Sequence, residues 1–445
     1  MELKDKKVLV FGSGISGIGA ADLLGKVGAL PIIFEGNEKL SKEEVLHKIN
    51  GDYPVEVYIG RLPREVQESL DLAVLSPGVP TDIPQVQSFR QQGIPVWGEV
   101  ELAYQMGKGT VLAVTGTNGK TTTTALLGKI MSDDRESVFV VGNIGNAYTG
   151  AVLEMTDQST TVAEISSFQL ETIDEFAPHV SAILNVSEDH LNRHHTMEEY
   201  IRVKELIAKN QTASDYCVLN YEDPVLREFG ERLKCKVLYF SSVRELEEGI
   251  FLRGDEIILR LDGQEIPVVG TEKLQILGQH NYENAMAAIA MAYVAGVPVD
   301  HICRSVCAFR AVEHRIEFVE EKNQVAYYND SKGTNPDAAI KGIQAMKRPT
   351  LLIAGGFDKG SEYDAWIQSF DGKVRYLVLK IRDAANRLGF YDCILADDLQ
   401  EAVRICGQKA NPGDAVLLSP ACASWGQFDN YEQRGNMFKA YVHSL

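Results

Sequence analysis

Thiols, long apolar runs and clustered basic charge are what this chain has least of. Its seven cysteines (Cys217, Cys235, Cys303, Cys307, Cys393, Cys406 and Cys422) are scattered and odd in number among 445 residues. None falls in a CxxC pair, so a disulfide framework, a zinc-binding thiol motif and a redox dithiol are all disfavoured, and reduced, mostly buried thiols are expected. No apolar run approaches the roughly 20 residues that a membrane span requires. Residues 1–7 are charged and lead straight into the strand-like Val8-Leu9-Val10-Phe11, so a cytoplasmic protein without a membrane partner is expected. Lys and Arg total 44 against 62 Asp and Glu, a formal charge of −18. With no local Lys/Arg run to offset that charge, nucleic acid is not expected as a partner. An anionic ligand would have to find its cations one at a time. Internal repeats and low-complexity tracts are also missing.

What is present is a globular composition, 45% hydrophobic and 24% charged, with strand-like apolar runs alternating with amphipathic helical stretches. That alternation predicts an α/β fold of largely parallel sheets covered by helices. Residues 7–11 read as a strand, 12–17 as a tight turn, 17–27 as a helix and 31–34 as a second strand ending at Glu35. A new start comes at 110–115, a short strand that feeds a glycine loop and a helix over 120–131. Gly93-Ile94-Pro95 and Gly107-Lys108-Gly109 mark joints near residue 98. In the middle, Leu261-Asp262-Gly263-Gln264 predicts a hairpin between 256–260 and 265–269. An alanine-rich helix over 281–295 stops at Gly296. From about residue 312 another strand and helix alternation runs to the end. The expected organisation is three domains: a Rossmann-like 1–98, a central P-loop ATPase-like 99–311 and a Rossmann-like 312–445.

The strongest local signal is Thr115-Gly116-Thr117-Asn118-Gly119-Lys120-Thr121-Thr122, set between a strand and a helix, where a phosphate-cradling loop belongs. The glycines let backbone N–H groups face phosphate oxygens. Lys120 would neutralise the β- and γ-phosphates, and the Thr121 hydroxyl would join a magnesium shell. The loop is shorter than G-x-x-x-x-G-K-[ST], since Val114 stands five before Gly119. Upstream, Gly12-x-Gly14-x-x-Gly17 with acidic Glu35 meets the dinucleotide-binding description formally. A carboxylate at 35 suits either a ribose hydroxyl or a ring N–H, so this motif alone does not choose its ligand.

From the phosphate loop onward the sequence resembles the Mur ligase family, whose ATP-dependent amide chemistry is shared with folylpolyglutamate synthetases. The segments Val162-Ala163-Glu164-Ile165-Ser166-Ser167-Phe168-Gln169-Leu170 and Asn185-Val186-Ser187-Glu188-Asp189-His190 match it. The resemblance implies Glu164 as a magnesium ligand and His190 as a holder of a second magnesium, two ions in all. A helix is expected over 196–211, where Thr196 and Glu199 have capping-box spacing and Tyr200, Val203 and Ile207 make a buried face. Composition alone makes Lys204 an ordinary solvated lysine. The resemblance implies instead that it is carbamylated and adds a carboxylate to magnesium.

Asn143, in Gly142-Asn143-Ile144-Gly145, is implied at the γ-phosphate or reacting group. Asn281, after Gly278-Gln279-His280, is implied at adenine, although by itself it would be read as a helix cap. Arg315, after Glu313-His314, is implied at the ATP phosphates, although unmatched it would pass as a surface arginine. In Asn329-Asp330-Ser331-Lys332-Gly333-Thr334-Asn335-Pro336, the resemblance puts Asp330 at the ATP ribose and Lys332 and Thr334 near the reacting carboxylate and incoming amino acid. Pro336 would open a helix. In this family the first domain holds a uridine nucleotide, which gives Ser16, Glu35, Gly36, Asn37, Ser76, Pro77 and Gly78 to UDP and displaces the NAD or FAD reading. Lys359 and Ser424 suit the carboxylates of D-glutamate. Tyr431 stands where the family pattern places a phenylalanine beside the same amino acid. The resemblance spans essentially the whole chain. It implies a monomeric ligase adding D-glutamate to UDP-N-acetylmuramoyl-L-alanine through an acyl phosphate in cell-wall peptidoglycan synthesis. Alternatives are a related folylpolyglutamate-type ligase with another acceptor and a non-catalytic UDP-sugar sensor.

Overall fold

Three helix-covered sheets, each mostly parallel, carry the chain in the computed structural model, which describes residues 2–445 except 144, 311, 358–361 and 379–381. The first is five-stranded. Its strand Lys7–Phe11 lies between Leu30–Glu35 and Leu72–Leu75, with Glu56–Ile59 and Val96–Gly98 at the edges, and every pairing is parallel. Strand order therefore reverses beside Lys7–Phe11, and the crevice outside the carboxyl ends of Lys7–Phe11 and Leu72–Leu75 is the topological switch point where such sheets take ligands. Side-chain alternation fills both faces. Val8 and Val10 join one core cluster, and Leu9 and Phe11 another, as expected of a parallel sheet covered on both sides.

The second sheet has nine strands. Third from one edge, Thr110–Thr115 pairs in parallel with Thr160–Glu164 on one side and Val180–Ile183 on the other, and Val138–Gly142 closes that edge. The predicted hairpin forms Glu256–Leu261 and Gln264–Gly270 at the far edge, with Glu256–Leu261 antiparallel to Gly249–Arg253. A continuous core runs from Val8 and Leu24 through Trp97, Val100 and Leu102 to Ala113, Ala163 and Ile183. The first two sheets thus share one compact unit, which runs to Val269 and includes Asn284–Ser305.

The second unit comprises Gly270–Glu283 and Val306–Leu445. Its six-stranded sheet pairs Val325–Asn329 with Ala415–Leu418 and that strand with Thr350–Ile353, all in parallel, and Glu317–Lys322 adds an antiparallel edge. Leu352 packs on one face with Trp366 and Ile343, and Leu351 and Ile353 on the other with Phe438 and Cys406.

Two local expectations need correction. The stretch expected as one helix over 196–211 is the helix Met197–Glu205 followed by a 3-10 turn, Leu206–Ala208. Its capping box is only half made. Thr196 accepts the Glu199 N–H at 3.2 Å, but the Glu199 carboxylate turns to Arg202, 2.6 Å away, and leaves the return bond unmade. Pro336 does open the helix Pro336–Ala345, capped by Asn335. None of the seven cysteines is in a disulfide, and Cys217, Cys235, Cys406 and Cys422 are buried. Among the described residues no helix is long and apolar enough to cross a membrane.

Candidate active site

In the first sheet the turn after Lys7–Phe11 is built by close packing. Gly12 has φ +101°, and a Cβ on Gly17 would lie 2.0 Å from the Gly12 carbonyl oxygen, so helix Ile15–Lys26 can approach only with glycine there. Glu35 grips this turn. Its Oε2 accepts from the Ser13 hydroxyl at 2.6 Å and the Ser13 N–H at 3.0 Å, and its Oε1 from the Asn37 N–H at 2.8 Å. Burial pushes its pKa up, but these donors and nearby Lys48 outweigh burial and hold it below the ordinary carboxylate range. Ser76 faces the same turn, its hydroxyl 3.4 Å from the Gly12 carbonyl. Ser16 sits half-buried in the first helical turn, and Gly36, Asn37 and Gly78 are exposed around it.

The loop 115–122 joins Thr110–Thr115 to the helix Lys120–Asp134 with Gly116 at φ +148° and Gly119 at φ +86°. A second segment splints it. The Asn118 N–H donates to the Asn185 side chain at 2.8 Å, and Asn185 Nδ2 donates to the Asn118 carbonyl at 3.1 Å. Thr117 Oγ1 takes the Ser187 N–H at 3.0 Å and meets the Tyr200 hydroxyl at 3.1 Å. Lys120 Nζ donates to the carbonyls of Gly116 at 2.8 Å and Thr117 at 2.9 Å. Lys204 Nζ donates to that same Gly116 oxygen at 2.9 Å and lies 4.7 Å over the Tyr200 ring. The solvated reading of Lys204 is therefore wrong. The residue is 1% exposed, because the helix Met197–Glu205 docks under the loop. Burial, and then the charge of Lys120, hold its pKa well below the ordinary lysine range.

Glu164 ends the strand Thr160–Glu164, next to the loop strand. Its Oε1 accepts from Asn143 Nδ2 at 2.8 Å, while its buried Oε2 has no hydrogen-bond partner. An enclosed carboxylate oxygen left over at the end of the strand next to the loop strand is the kind of donor a hard cation takes, and Thr121 is buried at the loop. His190 stands next to Asp189, 3.4 Å between Nε2 and Oδ2, with its ring 4.9 Å from that of Phe168. Among the described residues no three His, Cys, Asp or Glu side chains come together as a metal-ligand cluster. Magnesium in this pocket would therefore draw on Thr121, a modified Lys204 and substrate oxygens besides Glu164 and His190. Such a set suits an ion that keeps waters and phosphate ligands.

In the second unit Asp330 follows Val325–Asn329, and its Oδ2 accepts from Ser419 at the end of the neighbouring strand at 2.8 Å. Burial raises its pKa to about 7 against the opposing pull of Ser419, Arg315 and Arg434. Arg315 is half-buried with its Nε enclosed and without a hydrogen bond, so the surface reading fails for it as well. Asn281 does not cap its helix. It lies inside the first turn of Gln279–Val294 and donates to the Leu277 carbonyl at 2.7 Å. Lys332 is half-buried, with Nζ 5.2 Å over the ring of Tyr431. Thr334 follows it, half-buried, its N–H on the Lys332 carbonyl. Ser424 is buried in the loop after Ala415–Leu418. Lys359 lies outside the described residues.

Sequence reasoning did not assign Tyr200, Asn185, Arg193, His194, Ser419 or Arg434. Tyr200 sits four residues before Lys204 on one helical face, which could have linked them. Arg434 is buried and donates to the Ser331 carbonyl at 2.8 Å, with burial lowering its pKa to about 10. Nothing local marks it.

Comparisons with known proteins agree along the whole chain. A MurD-like N-terminal domain of Mur ligases matches residues 6–98, the Mur ligase middle domain 114–292 and the Mur ligase glutamate ligase domain 314–422. The UDP-N-acetylmuramoylalanine–D-glutamate ligase of Lachnoclostridium phytofermentans is 55% identical over 451 residues, covering 100% of this chain and 99% of the relative. The crystal structure of UDP-N-acetylmuramate–alanine ligase from Thermotoga maritima superposes with a TM-score of 0.61 at 19% identity over 99% of both chains. The MurF ligase of the same organism, in complex with ADP, gives 0.59 at 18% identity over 93% of this chain and 95% of that one.

Proposed function

The chain belongs to the Mur ligase family, and from that premise we infer that it adds D-glutamate to UDP-N-acetylmuramoyl-L-alanine at the expense of ATP, in peptidoglycan precursor synthesis. Identity of 55% across the full length of a ligase so named carries the reading. The phosphate loop, closed by Lys120 and Lys204 on one carbonyl, supports the ATP half of it. Three functional domains, 1–98, 99–311 and 312–445, and a cytoplasmic location belong to the same reading.

The switch-point crevice of the first sheet takes UDP, with the diphosphate at the N-terminus of Ile15–Lys26, where free N–H groups and the helix dipole favour anions. Ser16, Glu35, Gly36, Asn37, Ser76, Pro77 and Gly78 line it. Gly116, Thr117, Asn118, Gly119, Lys120, Thr121 and Thr122 hold the ATP phosphates. Asn281 takes adenine, Asp330 the ribose, and Arg315 the phosphates. The terminal carboxylate of the L-alanyl arm attacks the γ-phosphorus, the bond to the β-phosphate oxygen breaks, and ADP leaves an acyl phosphate. Lys120 and Arg315 offset the charge that develops. Asn143 holds the Glu164 carboxylate in place and faces the reacting group. The D-glutamate amine, placed by Thr334, Ser424, Tyr431, Lys359 and Lys332, then attacks the acyl carbon, and phosphate leaves as the amide forms. Thr121, Glu164, His190 and a carbamylated Lys204 would hold two magnesium ions, whose chemistry is charge neutralisation on the phosphates. Lys204 is suited to that modification, because only an uncharged amine adds to carbon dioxide and burial shifts this one toward its uncharged form.

The test is phosphate release from ATP with magnesium and UDP-N-acetylmuramoyl-L-alanine, comparing D-glutamate with L-glutamate, D-aspartate and meso-diaminopimelate. Release that requires both the UDP acceptor and D-glutamate is expected. Release with another amino acid would move the specificity, and none with any would favour a UDP-sugar sensor.

A further inference from the structure

Arg193 lies in the short helix Leu191–His194, immediately after His190. Its guanidinium, with the side chain 12% exposed, meets Glu171 fork to fork, Nη2 to Oε2 at 2.6 Å and Nε to Oε1 at 3.2 Å. Glu171 ends the helix Ser167–Leu170, which follows the Glu164 strand. The same Nη2 donates to the carbonyl of Val79 at 2.9 Å, in the loop after Leu72–Leu75 of the first sheet. Over its face, 5.1 Å from the guanidinium carbon, lies the ring of Phe168, which also packs against His190 at 4.9 Å. One side chain therefore touches the three segments that carry Ser76-Pro77-Gly78, Glu164 and His190. A second link between the same segments, His195 with Asp82 at 3.3 Å, has side chains 69% and 64% exposed and is too solvated to fix anything.

We propose that Arg193 is a positioning residue that sets the first-sheet loop, and with it the UDP end of the acceptor, in register with the phosphate loop and His190. This rests on the ligase reading above. A planar fork bound to a carboxylate and a carbonyl at once fixes direction as well as distance. Replacing a buried ion pair by apolar side chains is often neutral for stability, so what Arg193 uniquely supplies is this register. In a reaction where an acceptor carboxylate must meet a phosphorus in line, a misplacement of about 1 Å can cost on the order of a hundredfold in rate.

Two variants test it: Arg193→Lys, which keeps the charge beside Glu171 but loses the fork, and the double variant Arg193→Met with Glu171→Met, which removes both charges of the pair together with the Glu171 contact to His194 at 3.3 Å. Both are expected to bind ADP within twofold of wild type by titration and to lose tenfold or more in kcat/KM for UDP-N-acetylmuramoyl-L-alanine. A double variant that melts within a few degrees of wild type and keeps wild-type kcat/KM would overturn the proposal, as would equal losses of ADP affinity and acceptor kcat/KM in Arg193→Lys. Should the double variant not fold, Arg193→Lys decides alone. Wild-type protein inactive with the UDP acceptor would instead sink the ligase reading.

Discussion

At Asp330, burial works against the ionised form of a carboxyl group that the proposed function assigns to the ATP ribose. Its pKa is raised from 3.8 to about 7, chiefly by burial. Below pH 4 the group is protonated whether the chain is folded or not, and it contributes nothing. Between pH 4 and 7 the unfolded chain ionises first, so stability falls as pH rises, and above pH 7 the whole penalty is present. At about 1.4 kcal/mol per pH step this amounts to a loss on the order of 4 kcal/mol. Asp330→Asn should flatten that slope, measured by denaturant unfolding at pH 5 and pH 8, and be more stable than wild type at pH 8. If Asp330 accepts from the ATP ribose, the same variant should raise KM for ATP severalfold. Lys204 presents the related case of a buried base. Lys204→Met removes an amine that burial already disfavours, so its melting temperature should equal or exceed that of wild type while kcat falls by at least a hundredfold. Wild-type enzyme freed of carbon dioxide should regain activity on addition of bicarbonate. Indifference to bicarbonate would remove the carbamate from the account.

The elements that carry these residues were legible in the sequence wherever the signal is local. Glycines at 12, 14 and 17 and at 116 and 119, each between an apolar run and a helical one, announced both turns, and at 12, 17, 116 and 119 a Cβ would meet a close neighbour or a positive φ, whereas Gly14 has open space. Gly17→Ala and Gly119→Ala should therefore separate the two halves of the site. The first puts a methyl 2.0 Å from the Gly12 carbonyl and should raise KM for the UDP acceptor with little change for ATP. The second meets Asn284 Oδ1 at 2.2 Å with φ at +86°, a strain of about 1–3 kcal/mol, and should weaken ATP binding with little change in UDP binding, as read by calorimetric titration of each ligand. What was not legible depends on docking between elements distant in sequence. The helical pattern marked Tyr200, Val203 and Ile207 as a buried face, but that Lys204 goes in with them follows only from the phosphate loop lying on top of it. Glu35 could be foreseen as an acid at a nucleotide turn. That it spends both oxygens on Ser13 and Asn37 could not, since it depends on where the turn's own hydroxyl points.

On the scale of the molecule, the groups assigned to the reaction are divided between two compact units. Lys120, Asn143, Glu164, His190 and Lys204 belong to the first, and Asn281, Arg315, Asp330, Lys332 and Ser424 to the second. Neither unit holds a complete set. One has the phosphate loop without the amino-acid groups, and the other has those groups without the loop. On the proposed assignment ATP draws on residues of both units, the loop in one and Asp330 and Arg315 in the other, whereas UDP draws on the first alone. Arg315→Ala should therefore weaken binding of a non-hydrolysable ATP analogue with magnesium by about tenfold and leave binding of the UDP acceptor within about twofold, as read by calorimetric titration. Equal losses for the two ligands would mean that Arg315 acts on the fold and not on the nucleotide, and the phosphates would then have to be held by the loop 115–122 alone.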